Sequence, residues 1–215
     1  MPTTYAHYKF GKEVLSALPR PLQNSIEAHR ELFDIGLHGP DILFYYNALK
    51  KDPVNEQGHT LHEQFADEFF HHAVEVIEKV KDPAAARAYI YGFICHFALD
   101  SECHPYVEKI MQVGRVSHNE IEMELDRMML TEDYHDPLRY LTAKHIQPKM
   151  EYAEVIAPFF KDVTAEQIYK ALKGMVFYHK LFLAPTSGKR KALFLGMKAV
   201  GKYDSLHDIV MSVKP

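Results

Sequence analysis

Apolar residues recur three and four positions apart over much of this chain, with polar residues between them. Leu61, Phe65, Phe69, Ala73, Ile77 and Val80 follow that step and predict one amphipathic helix from about Thr60 to Lys79. Asp82-Pro83 then opens a second helix, with Asp82 as the cap and Pro83 in the first helical position. It runs through Ala88, Tyr89, Gly92, His96 and Leu99 and is apolar nearly all round, as suits the centre of a bundle. Ser117 caps a third helix, with Glu120 completing a capping box and Ile121, Leu125, Met128 and Met129 turned to the core. Further helices fit His7–Leu18, Leu22–Phe33, Gln147–Phe160, Ala165–Leu183, Lys189–Val200 and Ser205–Val213. The stretch Gly36–Gly58 reads as a long irregular connection, and connections of that length inside a domain tend to be functional. No alternating run long enough for a sheet is present, and no linker, repeat or low-complexity tract interrupts residues 1–215. The expectation is a single all-α domain.

Composition narrows this picture. A formal net charge of −4 provides no overall attraction to nucleic acid, and no nucleic-acid partner is expected. The two cysteines, Cys95 and Cys103, fall on one predicted helix roughly 12 Å apart, too far for a disulfide. Both are expected reduced and buried, which suits a cytoplasmic protein, and the N-terminal residues lack the pattern of a signal peptide. No segment offers eighteen apolar residues in a row. The segment Gln167–Tyr203 has no acidic residue but eight cationic ones. It reads either as a peripheral surface for an anionic membrane or as two ordinary helices with a basic solvated face; the second is preferred, because solvated charge is the default.

Chemistry concentrates around the central helix. His96, Asp100 and His104 stand four apart, and His118 and Glu122 repeat that step. Four residues is just over one turn, so each pair shares a helix face. A carboxylate on a buried face is costly unless a cation or donor compensates it. One His-x-x-x-Asp pair is most simply a hydrogen-bonded core pair. Three imidazoles and two carboxylates in so short a stretch are instead the ligand set of zinc and related ions. Two Glu-x-x-His motifs, Glu68–His71 and Glu132–His135, match half of a di-iron site, but the second lies in a turn-like stretch and that reading is set aside.

These residues resemble the zinc-dependent phospholipase C family, which includes the bacterial broad-range enzyme and alpha-toxin and shares its architecture with fungal single-strand nucleases. The likeness is carried by His96-Phe-Ala-Leu-Asp100, His104-Pro105 and His118-Asn-Glu-Ile-Glu122, and upstream by Gly36-Leu-His-Gly-Pro40-Asp41 with a later His. It implies a multi-helix bundle with a metal site in its core, holding two or three zinc ions. Asp41, His62, His96 and Asp100 would surround one zinc, with His59 the alternative to His62. His104, His118 and Glu122 would hold a second, and Asp100 would bridge to a third shared with His7. The secreted relatives bind that third zinc through an N-terminal Trp, and this chain has no Trp, so a weak or absent third site is expected.

The implied activity is hydrolysis of a phosphodiester by attack of metal-bound water, with Asp41 as general base. The substrate would be a small phosphoester or a phospholipid headgroup, although no choline pocket maps onto the chain. A nuclease or phosphomonoesterase with the same metals is the near alternative, and a non-catalytic metal-binding protein the distant one.

Overall fold

The structure is a computed structural model that describes residues 4–114 and 116–214. Among the described residues every regular element is helical. The α-helices are α1 (Thr4–Ala17), α2 (Arg20–Glu27), α3 (Arg30–Gly36), α4 (Pro53–Glu63), α5 (Ala66–Lys79) and α6 (Pro83–Val113). They continue with α7 (His118–Glu132), α8 (Met150–Ile156), α9 (Ala165–Phe182), α10 (Ser187–Ala199) and α11 (Tyr203–Leu206). The protein is all-α. Among the described residues no helix is long and apolar enough to cross a membrane.

Contacts group the chain into two compact units: Tyr8–Ala98 with Lys144–Phe177, and Met1–His7, Leu99–Ala143 with Tyr178–Pro215. In the first, Leu15, Ile26, Phe33, Leu37 and Cys95 form one buried cluster. Phe69 stacks on Phe93 at 4.2 Å between ring centroids. Here α3 crosses α6 at backbone contact. A Cβ on Gly36 would lie 2.1 Å from the Tyr89 carbonyl oxygen, and one on Gly92 2.2 Å from that of Phe33. Only two glycines permit that approach, and it sets the turn after α3 beside His96. In the second unit Tyr5, Leu130 and Met211 form one cluster, and Ala184, Met197 and Val210 another.

Several boundaries differ from the sequence reading. The expected helix from Thr60 to Lys79 is two helices broken at Gln64 and Phe65, whose backbones are extended. No Gly or Pro marks the break, and the apolar step runs across it, so periodicity alone passes over it. Phe65 is consequently 91% exposed, whereas Phe69, Ala73 and Val76 carry the buried face of α5. The stretch Gly36–Gly58 is also more regular than expected. It holds a 3₁₀ helix, Gly39–Tyr45, and the first half of α4. Asp52 caps α4 reciprocally with Asn55 ahead of Pro53, the device also seen at Asp82, whose Oδ1 accepts from Ala84 and Ala85.

The expected helix Leu22–Phe33 divides at Ala28–His29 into α2 and α3. Gln147–Phe160 and Ser205–Val213 shrink to α8 and α11, each followed by a short 3₁₀ turn. On α7 Met128 is 50% exposed, and the buried positions are Glu122, Asp126 and Leu130. The inner face of that helix therefore carries two carboxylates.

Candidate metal centre

The turn after α3 brings in the first ligand candidate. Asp41 lies in the 3₁₀ helix Gly39–Tyr45, and its Oδ1 is 3.0 Å from His62 Nε2 on α4. The other nitrogen of that ring, Nδ1, donates to the Gly58 carbonyl at 2.7 Å. With its proton committed there, the neutral imidazole would turn a lone pair toward a carboxylate oxygen. That arrangement requires positive charge between the two, either a second ring proton or a cation. His96 completes the group: Asp41, His62 and His96 each offer one atom, all within 4.8 Å of one another. His59 is exposed and lies against Phe44, with ring centroids 4.5 Å apart.

Gly39 makes room for this group. Its φ is +47°, and a Cβ there would fall 2.2 Å from His96 Cδ2. The backbone thus turns in the left-handed region where the imidazole edge occupies the space of a side chain.

The second group lies wholly within the other unit. His104, from the C-terminal half of α6, joins His118 and Glu122 at the start of α7, again with ligand atoms within 4.8 Å of one another. His118 Nε2 is 2.7 Å from Glu122 Oε1. Ser117 fixes this end of α7 by accepting from the Glu120 N–H at 3.1 Å while donating to Asp208 at 2.6 Å. Partial burial lowers the pKa of His118. That favours the neutral ring, the form that binds a metal. Cys103 lies nearby on α6, and burial followed by the charges of Asp100 and Glu122 raises its pKa, keeping the thiol protonated. Burial likewise pushes Cys95 up to about 11. Both cysteines are free; Cys95 is buried as expected, whereas Cys103 is partly exposed.

Asp100 lies one helical turn after His96 on α6. Its Oδ1 is 3.3 Å from His7 Nε2, and its Oδ2 is 3.9 Å from His104 Nε2. The carboxylate thus presents one oxygen to each of two imidazoles. α6 does not end after Asp100: it continues through Pro105 to Val113, so His104 sits on the same helix and not on a loop.

Residues 6–174 match the model of the family described as zinc dependent phospholipase C. The chain belongs to that family. No curated protein and no solved structure matches it. The zinc-dependent phospholipase C match takes in every residue of the two groups, and both His7 and Asp100. The donor set suits zinc: imidazole nitrogens and carboxylate oxygens, with no thiolate and with carboxylates buried among them.

Three features around these groups escape the sequence reading. Gly39 enters there only as part of a matching string. Asp126 is buried and accepts from the Tyr5 and Ala6 N–H groups at 3.1 and 2.9 Å, capping the first turn of α1 and so placing His7. Its place four residues after Glu122 is the available signal. His38, just before the Gly39 turn, pairs with His145 at 2.7 Å between Nε2 atoms, and Tyr8 stacks on His145 at 4.0 Å. The long sequence separation of that pair leaves nothing to detect.

Proposed function

We propose that this chain is a zinc-dependent hydrolase of a phosphodiester, with a phospholipid headgroup or a related small phosphoester as substrate. The observation that carries the reading is the Asp41–His62–His96 group, where a carboxylate faces an imidazole whose other nitrogen is already committed. Asp41, His62 and His96 would hold one ion and His104, His118 and Glu122 a second. His7 with Asp100 offers a third position. Zinc at these positions supplies a Lewis acid for phosphoryl oxygens and lowers the pKa of water towards neutrality.

The remaining work falls to the chain's own residues. Asp41 is the general base: Oδ1 is turned to His62, and Oδ2 takes the proton of the attacking water. The Gly58 carbonyl holds His62 in one tautomer, so that Nε2 keeps its lone pair for the ion. Asp100 would offer one carboxylate oxygen on the side of His7 and the other on the side of His104. No serine or cysteine nucleophile is required, and both thiols are held protonated.

The test is Asp41→Asn, assayed on a chromogenic phosphodiester with zinc counted on the same sample. Retention of zinc in the His104–His118–Glu122 group with a loss of turnover of about 10²–10⁴ is expected. Full activity in that variant would remove the base from Asp41. A wild-type protein that hydrolysed single-stranded DNA or phosphomonoesters, but no phosphocholine ester, would move the substrate class.

A further inference from the structure

The family match ends at residue 174, yet the chain continues through α10 and α11. Thr186 caps α10 by accepting from the Lys189 N–H. Leu193, Phe194 and Met197 pack inward against Ala184, Val210, Phe182, Tyr203 and Leu206. Two of the cations here have structural tasks. Lys189 Nζ donates to the carbonyls of Lys180 and Leu183 at the end of α9. Arg190 donates to those of Met211 and Ala184.

The outer face is different. Lys191, Leu195 and Lys198 follow one another at steps of four and three and so share one face of α10, and Lys202 follows beyond its C-terminal end. Lys198 Nζ stands 4.7 Å over the Tyr203 ring. Leu195 is 70% exposed and neighbouring Val200 67%. From Gln167 to Tyr203 the chain has eight cationic residues and no carboxylate, although the whole protein carries a net charge of −4. Leu195 thus stands in water beside Lys191 and Lys198 on a face without a carboxylate of its own. A helix lying on a lipid surface needs that mixture: apolar side chains to enter the acyl boundary and ammonium groups to meet anionic headgroups.

We propose that the outer face of α10, with Lys191, Leu195 and Lys198, together with Val200 and Lys202 at its C-terminal end, is a docking surface for an anionic lipid bilayer. This reverses the preference drawn from the sequence, where the exposure of Leu195 and Val200 is not visible. Charge complementarity commits the face to an anionic surface, and the exposed aliphatic side chains commit it to lipid and not to a dissolved polyanion. The inference concerns attachment and does not depend on hydrolysis.

The experiment is cosedimentation of the zinc-loaded full chain with phosphatidylcholine vesicles, with and without phosphatidylglycerol. Because the chain has no Trp, Leu195→Trp adds a single emission probe on the face itself. Binding is expected only to the phosphatidylglycerol vesicles, weakening as salt is raised, with a blue shift of the introduced indole's emission on binding. Replacing Lys191, Lys198 and Lys202 together by Gln should weaken partitioning about a hundredfold, at roughly fivefold per lysine. Zinc content and turnover of a soluble diester should be unchanged in that variant. Wild-type protein that ignores phosphatidylglycerol vesicles, or a triple variant that binds them as well as wild type, overturns the proposal. So does equal binding to single-stranded DNA, or vesicle binding without the blue shift.

Discussion

Substituting Gly39 by Ala adds one methyl group at the point where the backbone meets the His96 ring. In the structure that carbon would lie 2.2 Å from His96 Cδ2 and 2.6 Å from Cγ, where ordinary contact begins near 3.4 Å. The ring must therefore withdraw by about 1 Å or the turn must open, and metal–ligand distances tolerate only about ±0.2 Å. Alanine must also adopt a φ of +47°, which costs about 1–3 kcal/mol for a residue with a Cβ. Stability should fall by that amount, and zinc affinity at the Asp41–His62–His96 group by roughly 10- to 100-fold, the usual cost of misplacing a ligand. Affinity is read by competition with a chromophoric chelator and stability by urea titration with zinc removed. Gly196→Ala on α10 is the control: nothing lies within 4 Å of its added carbon, so zinc binding should not change. Wild-type zinc affinity in Gly39→Ala would refute the placement of His96 beside this turn as a ligand.

Two further predictions address the fold and its pH response. Phe65→Ser should leave stability within about 0.5 kcal/mol because Phe65 stands in solvent, whereas Phe69→Ala should cost about 3 kcal/mol because Phe69 is buried and stacked on Phe93; a urea titration of both variants checks the contrast. His179 has its ring nitrogens paired with the Thr4 and Thr142 hydroxyls, and burial lowers its pKa to about 4. A histidine depressed in the folded state takes up its proton more readily when unfolded, so stability should drain away as pH falls from about 6.5 to about 4; melting temperatures of wild type and His179→Gln across that window should show the shallower decline in the variant.

The helical class and the shared faces of the candidate ligands were legible because both rest on local rules. His96, Asp100 and His104 sit on one continuous helix, and His118 and Glu122 on one turn of another, so a step of four was enough to place them on shared faces. The break at Gln64–Phe65 was not legible. The apolar step from Leu61 through Phe65 to Phe69 runs straight across it, and the chain turns there without a Gly or Pro. The α4 start is hidden for a different reason. Asp52-Pro53 carries the same cap-and-proline signal as Asp82-Pro83, but the polar residues after it hide the helix that the signal opens. Asp126 gives no such signal, because a carboxylate reads as solvated until the two N–H groups it accepts from are known, and those belong to residues 121 and 120 positions away. His38 and His145 meet only through tertiary packing.

The central claim is that imidazoles and carboxylates gather here around zinc, and elemental analysis of the purified chain paired with thermal melts before and after chelation tests it most directly. Two or three zinc ions per chain, with a melting temperature that falls on chelation and recovers when zinc is restored, is the expected result. Protein that carries no zinc, takes up none, and melts at the same temperature with or without chelator would contradict it.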